Sequence, residues 1–469
     1  MLSFFRVNAP YQYVSLLALL ALIRLPLLFH PVPLLLPELN WMLVGEQMHR
    51  GNMLYRDIWD NVSPLSGLVY WLLDVAFGRS QTAYQVTATA ISMVQIVYFN
   101  YVMNSRDVFP ERNFWPGLLY MLFLNLSVDC TMLSPVLLST TFLLFAFGTL
   151  IQQMERRGAT DEVFEVGFYI GLATLFYLPS ALFIIWAAAA LLFFTGATFR
   201  QHSLSLFGFL FPTVLTVLYY YFNNGLDEFN RNLLASVFRV RQYDLTDVGT
   251  LLTALVVPLG VGVLGFLSLF NVPGRYVNFQ QRCQQIMLLW AMTGVLTIPL
   301  MPFLAPMQFM SFVPPMAFFA VIYVQNVRRS WLAELTFWGI ALAIIVVFYQ
   351  GALSLVPGLE VGRLTQLEVP ASPLSATIQN RRILVLGDDL GAYRYNYPAT
   401  PYLNWELARY DLDQLDNYEA VINVYDHFRS DPPEYLIDRK NLAGKLFQRA
   451  PALAAQYEPT SMKGVYKRR

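Results

Sequence analysis

The chain is 469 residues long; 56% of it is hydrophobic, 15% aromatic and only 13% charged. A soluble domain carries about 25% charged residues, so a mean hydropathy of +0.45 places most of this chain in lipid. A formal net charge of zero argues against a nucleic-acid partner, and two cysteines in separate apolar regions, Cys130 and Cys283, provide neither a disulfide framework nor a metal cluster.

The head "MLSFFR" leads into an apolar run at 11–30 without a small-residue cleavage site, so this run reads as a retained first span, which a signal anchor would resemble. Next comes "LLLPELNWMLVGEQMHRGNMLYRDIWDNVSPLSGLVYWLL". It gathers Glu38, Glu46, His49, Arg50, Arg56, Asp57 and Asp60 just past the span, in a chain that otherwise avoids charge. The run 62–78 carries Asp74, a costly residue in hydrocarbon, and reads as a juxtamembrane or re-entrant helix. Further spans are expected at 84–103, 114–128, 131–153, 164–178, 180–197, 203–222, 248–270, 285–301, 305–324 and 331–350, giving about eleven crossings of roughly 20 residues each.

The basic connectors 104–113, 153–158, 198–203, 271–285 and 325–331 share a side with Arg6 if 62–78 does not cross. That predicts a cytoplasmic amino terminus and an outside carboxyl terminus, in a multi-pass protein of the cytoplasmic (inner) membrane. The charge cluster, Asp129 in "SVDC" and the connector 223–247 then lie on the outer face. In that connector Leu226, Phe229, Leu233, Leu234, Val237 and Phe238 recur at helical spacing around Arg231, Arg239 and Arg241. The pattern fits an amphipathic helix on the outer leaflet, and equally a loop skirting the membrane.

Residues 351–380 form a linker rich in Pro, Gly, Ser and Thr, and 381–469 read as a small soluble α/β domain. "ILVLGDD" is a buried strand, "DLDQLDNYEA" a polar helix and "AVINVYD" a second strand. "DPPEYLID" is a turn with a short strand, "NLAGKLFQRAPALAAQYE" is helical with a break at Pro451, and "KGVYKRR" is a final strand. The lone glycine of "VLGDD" is no phosphate-binding fingerprint. The expected fold class is an all-α polytopic membrane domain over 1–350, with juxtamembrane helices in an outer loop at 31–83, followed by the linker and the α/β domain.

This order of features resembles the GT-C superfamily of integral membrane glycosyltransferases. The likeness is to the polyprenyl-phosphate-sugar-dependent branch that includes protein O-mannosyltransferases and aminoarabinose transferases. It is carried by "PELNWMLVGEQMHRGNMLYRDIWDNVSPLSGLVYWLLDVAFGRS", by Asp129 in "SVDCTMLSPVLL", and by "ILVLGD" and "DPPEYLID" in the tail. The resemblance implies inverting transfer of a sugar from a polyprenyl-phosphate donor to a glycan, lipid or protein acceptor at the outer face of the bilayer. A carboxylate would be the general base, and cations or a divalent metal would stabilise the leaving phosphate. On that reading Glu38 and Asp129 are catalytic, and Arg50, Arg56, Asp57, Asp60, Glu46, Arg239 and Arg241 bind substrate. No dedicated metal ligands are expected.

The sequence departs from the family at Pro37, which stands where the usual catalytic aspartate falls and which simply starts a helix. The lysine before the proline-marked helix is absent from "DNVSP", and a later family lysine is absent from "LATLFYLPS". These departures support a second reading, a catalytically degenerate GT-C-like scaffold that binds a lipid-linked glycan or an envelope partner. Plainer roles also exist for the acids and for His49 and Arg50, as helix caps or dipole partners.

Overall fold

The computed structural model describes the chain apart from residues 30–31, 156–159, 239–247, 272–274, 354–361, 363 and 371–376. Among the described residues, nine helices are long and apolar enough to cross a membrane: Tyr11–Phe29, Gln81–Ser105, Pro135–Met154, Leu178–Thr195, Phe199–Phe222, Gly249–Ser268, Asn278–Leu300, Pro306–Asn326 and Ser330–Leu353. The chain is an integral, multi-pass membrane protein with a small C-terminal sheet.

Two of the expected spans are short helices. The run 114–128 holds the nine-residue, wholly buried helix Trp115–Phe123. The run 164–178 holds the sixteen-residue helix Asp161–Phe176, which opens on Asp161 and Glu162. At 1.5 Å per residue these reach about 14 and 24 Å, short of the ~30 Å hydrocarbon core. Pro64–Phe77, the helix at 62–78, has fourteen residues and is also too short, about 21 Å.

The chain divides into two compact units. The first comprises Met1–Val32, Thr82–Thr216 and Leu245–Thr365. Its helices touch where side chains are smallest. A Cβ on Gly167 would lie 1.8 Å from the Ser205 carbonyl oxygen, and one on Gly208 would lie 2.3 Å from that of Phe164. Without a hydrophobic drive between helices in lipid, close backbone approach of this kind supplies the packing.

The second unit comprises Pro33–Gln81, Val217–Asp244 and Gln366–Arg469. It begins with the helix Leu36–His49, which packs on Pro64–Phe77. The tail forms a mixed sheet of β1 (Arg382–Leu386), β2 (Tyr397–Pro398), β3 (Tyr435–Asp438), β4 (Tyr457–Pro459) and β5 (Val465–Arg468), in the order β2-β1-β3-β5-β4. β1 pairs in parallel with β2 and β3, and β5 runs antiparallel to β3 and β4. Asn404 and Asn417 cap the helices Trp405–Leu412 and Tyr418–Ser430 by accepting from first-turn amides.

"AVINVYD", expected as a strand, lies inside the helix Tyr418–Ser430. Its buried residues are Ala420, Val424 and Phe428, a repeat of four that seven residues of near-continuous apolarity conceal. In the 223–247 connector, short helical turns cover Leu226–Phe229, Asn230–Leu234 and Ser236–Phe238. Arg239 and Arg241 lie outside the described residues.

Candidate functional site

Candidate chemistry lies in both units. In the second, the first turn of Leu36–His49 is set by Pro37 near its start, and by Leu35, whose backbone bridges Glu368. This fixes Glu38 with no solvent exposure. One carboxylate oxygen accepts from the Gln81 amide at 2.9 Å. The other, Oε1, has no hydrogen-bond partner among the described residues. Burial lifts the Glu38 carboxyl to about 8, against a smaller lowering by Gln81. A carboxyl poised near neutrality with a free oxygen is what proton transfer requires.

The other charges expected to bind substrate have protein partners. Asp60 is fully buried; it accepts from the Asn40 amide at 2.8 Å and from the Val62 backbone N–H at 2.8 Å. Glu46 pairs with Arg50 at 3.0 Å and with Arg79. Arg79 also donates to the carbonyls of Tyr393, Arg394 and Asn396 at 2.8, 3.1 and 3.0 Å. The Arg50 guanidinium lies 3.9 Å from the centre of the Tyr397 ring. Arg56 forms a two-pronged pair with Asp57 at 3.0 and 2.8 Å and donates to the Asn223 carbonyl at 3.1 Å. Asp57 in turn accepts from the Met53 N–H at 2.9 Å. His49 and the buried Asp74 share a hydrogen bond at 2.8 Å, which explains how an acid sits in the Pro64–Phe77 helix.

Residues 51–62 are thereby tied to the tail, and Trp59 is the main tie. Its backbone N–H donates to the Pro401 carbonyl at 2.6 Å, and its carbonyl accepts from Asn404 at 3.0 Å. Its ring enters the core of the α/β fold beside Leu384, Tyr402, Val424 and Leu436. The Arg231 guanidinium covers that ring at 4.1 Å. Tyr55, at φ 72°, occupies the left-handed region that bulky residues avoid. Its hydroxyl holds the Val62 carbonyl at 2.6 Å, and its own carbonyl accepts from Asn232 at 2.9 Å.

In the first unit, Asp129 sits in the turn Val128–Thr131 that joins Trp115–Phe123 to Pro135–Glu155. It is fully buried, and Oδ2 accepts from the Met307 N–H at 2.8 Å. The Ser127 hydroxyl and the backbone amides of Asp129 and Cys130 also face this carboxylate. Burial raises this carboxyl to about 6, with the Met307 amide the largest opposing influence. The same connector holds Arg24, which sequence reasoning passed over. The Arg24 guanidinium donates to Asn125 Oδ1 at 2.9 Å, and more weakly to the carbonyls of Leu124 and Cys130 at 3.4 and 3.5 Å. A lone arginine inside an apolar span was the available signal, since such residues default to function. Among the described residues, no group of three or more His, Cys, Asp or Glu is arranged to hold a metal ion.

A multi-pass helical membrane domain with buried acids in two connectors, followed by a small sheet domain, resembles the fold of GT-C proteins. Comparison with solved structures bears this out. ArnT from Cupriavidus metallidurans bound to undecaprenyl phosphate matches at a TM-score of 0.53 and 12% identity, over 75% of this chain and 67% of that one. The apo oligosaccharyltransferase of Archaeoglobus fulgidus matches at 0.52 and 12% identity, over 91% of this chain and 69% of that one. Both are GT-C superfamily members. No family model and no curated protein matches the sequence.

Proposed function

We propose that the protein is a glycosyltransferase that moves a sugar from a polyprenyl-phosphate donor to a glycan, lipid or protein acceptor at the outer face of the membrane. The observation that carries this reading is Glu38: a fully buried acid, lifted to about 8, with one oxygen held by Gln81 and one without a partner. In the proposed reaction the ionised form of Glu38, populated as pH rises toward about 8, takes the acceptor's hydroxyl proton on its free oxygen; the acceptor's oxygen attacks the sugar's anomeric carbon, and the lipid phosphate departs. Asp129 is the second acid, and Arg50, Arg56, Asp57, Asp60 and Glu46 shape the donor side from the ties they already make. Support comes from the shared fold, since ArnT was crystallised with undecaprenyl phosphate. A divalent cation at the leaving phosphate would have to be held mainly by substrate oxygens.

The test is sugar transfer in proteoliposomes loaded with a polyprenyl-phosphate sugar donor. Glu38→Gln is expected to lower the rate by about 10²-fold or more, and Asp129→Asn by a similar factor. Wild-type rates in both variants would defeat the proposal. A second reading, a non-catalytic scaffold that binds a lipid-linked glycan or an envelope partner, is favoured by a different observation. Glu46, Arg50, Arg56, Asp57 and Arg79 are all engaged with one another or with backbone. On that reading the wild-type protein binds the lipid-linked glycan without transferring its sugar.

A further inference from the structure

A polar cavity of about 470 Å³ lies within the first unit, at the end away from Asp129. Asp129 meets Met307 at the first turn of the span Pro306–Asn326, whereas Val324 and Gln325, in its last turn, line the cavity. The 21 residues of that span place about 30 Å between the two, the depth of the hydrocarbon core. The other linings agree: Arg6 precedes the span Tyr11–Phe29, Arg275 precedes Asn278–Leu300, and Ser330 opens Ser330–Leu353. The cavity therefore sits at the opposite membrane face from Asp129, apart from the proposed transfer chemistry.

Three guanidinium groups, Arg6, Arg275 and Arg328, and two carboxylates, Glu111 and Glu334, line this cavity. Both acids are already matched. Glu111 pairs with Arg6 at 3.2 Å, and Glu334 accepts from the Met1 amine at 3.0 Å and from the Ser3 N–H at 3.0 Å. Among the described residues, Arg275 and Arg328 meet no carboxylate. Arg275 is half-buried and is held by one nitrogen: Nη1 donates to the Gln325 carbonyl at 2.9 Å and to Asn326 Oδ1 at 2.8 Å. Those bonds use both Nη1 hydrogens. The Nε and Nη2 edge has no partner among the described residues. That edge is the fork that matches two oxygens of a phosphate, and here it is already fixed in place. Arg328 is exposed and has no hydrogen bond or ion pair among the described residues.

Trp331, in the first turn of Ser330–Leu353, lines the same cavity and is 58% exposed. An exposed indole at the end of a span marks head-group depth. We propose that the cavity binds a phosphate ester, and that its source is the head group of an anionic phospholipid. The Arg275 fork takes the phosphate oxygens, Arg328 supplies the second positive charge, and Trp331 packs against the lipid. A soluble phosphate ester shares the head-group chemistry, but Trp331 favours a ligand whose tails stay in the bilayer. Arg6, Arg275 and Arg328 belong to the head and the basic connectors expected on the cytoplasmic side, where the leaflet is anionic.

The experiment titrates the detergent-solubilised protein with phosphatidylglycerol or phosphatidylcholine and counts bound lipid by native mass spectrometry. Phosphatidylglycerol is expected to bind more tightly than phosphatidylcholine. Arg275→Gln is expected to weaken phosphatidylglycerol binding about tenfold, through loss of the charged fork. Arg328→Gln, at an exposed residue that holds no other part of the fold, is expected to weaken it about fivefold, the worth of one arginine at an anionic surface. Arg200→Gln, at an exposed arginine of another connector, is the control and is expected to change nothing. Glycerol 1-phosphate in excess is expected not to displace the lipid. Equal binding of the two lipids, wild-type phosphatidylglycerol binding in Arg328→Gln, an equal loss in Arg200→Gln, or displacement by glycerol 1-phosphate overturns the proposal. The measurement needs no sugar transfer, so its outcome is independent of the enzyme reading.

Discussion

Trp59→Ala should loosen the C-terminal α/β fold, although the substitution lies more than 300 residues upstream of it. Trp59 is 3% exposed and is the one member of that hydrophobic cluster contributed by the segment 51–62. Truncating a buried tryptophan costs about 3–5 kcal/mol in transfer and cavity terms. Loss of the Arg231 contact at 4.1 Å adds about 0.5–1 kcal/mol, and the edge-on packing with Tyr402 at 5.0 Å is lost as well. The two backbone hydrogen bonds of residue 59 survive the change, so the segment stays attached while its anchor goes. A net cost near 4 kcal/mol corresponds to about a thousandfold rise in the open population. Amide hydrogen exchange of β1 and β3 in the full-length protein reads this directly, and Tyr418→Ala, at a residue 82% exposed, serves as the control. Exchange at Leu384 and Leu436 within threefold of wild type would refute the reasoning, because Trp59 would then be a passenger on the domain surface.

Four further outcomes can be checked. Gly45→Ala should destabilise the packing of Leu36–His49 on Pro64–Phe77 by about 1–3 kcal/mol, because its Cβ would lie 2.5 Å from the Tyr70 carbonyl oxygen; proteolysis of the 33–81 segment reports it. Arg79→Lys keeps the charge but loses the fork that spans Glu46 and three carbonyls, at a cost of about 2 kcal/mol measurable as faster exchange around Asn396. Glu38 holds its proton in the folded state up to about 8 but in the unfolded chain only to 4.5, so its contribution makes stability fall as pH rises through that window; Glu38→Gln should flatten the dependence. Asp129, at about 6 against 3.8 unfolded, gives a lower window of the same sign, which Asp129→Asn should remove without touching the upper one. Thermal midpoints across pH 4 to 9 separate the two, on the order of one titration each.

How much of this was legible follows from what each signal encodes. Long apolar runs carry their own length, so the spans from Tyr11–Phe29 to Ser330–Leu353 stand close to where hydropathy places them. Runs 114–128 and 164–178 hold shorter helices than hydropathy alone suggests, because hydropathy also measures burial, and Trp115–Phe123 is buried wholly by protein. β1, β3 and β5 were readable from compact β-branched or aromatic stretches. β2 and β4 have two and three residues and exist mainly through their partners. The acids were picked out by type and position, but the sequence holds no record of which charge meets which. Arg50, Arg56 and Arg79 find their carboxylates within the 33–81 segment, and Arg79 also reaches carbonyls more than 300 residues away.

That pairing changes the meaning of the charge cluster. Charge beside a membrane suggests a polar ligand, yet a side chain already neutralised has little left to offer a phosphate. By that criterion the exposed-looking members, Glu46, Arg50, Arg56 and Asp57, serve first as ties that shape residues 46–79 and fasten them to Tyr397 and its neighbours. Glu38 and Asp129, the two acids that the sequence already marked, are fully buried, and Glu38 keeps one oxygen without a hydrogen-bond partner among the described residues. Uncompensated burial of this kind costs stability. On the proposed transferase reading, that cost is offset by holding an acid ready for proton abstraction.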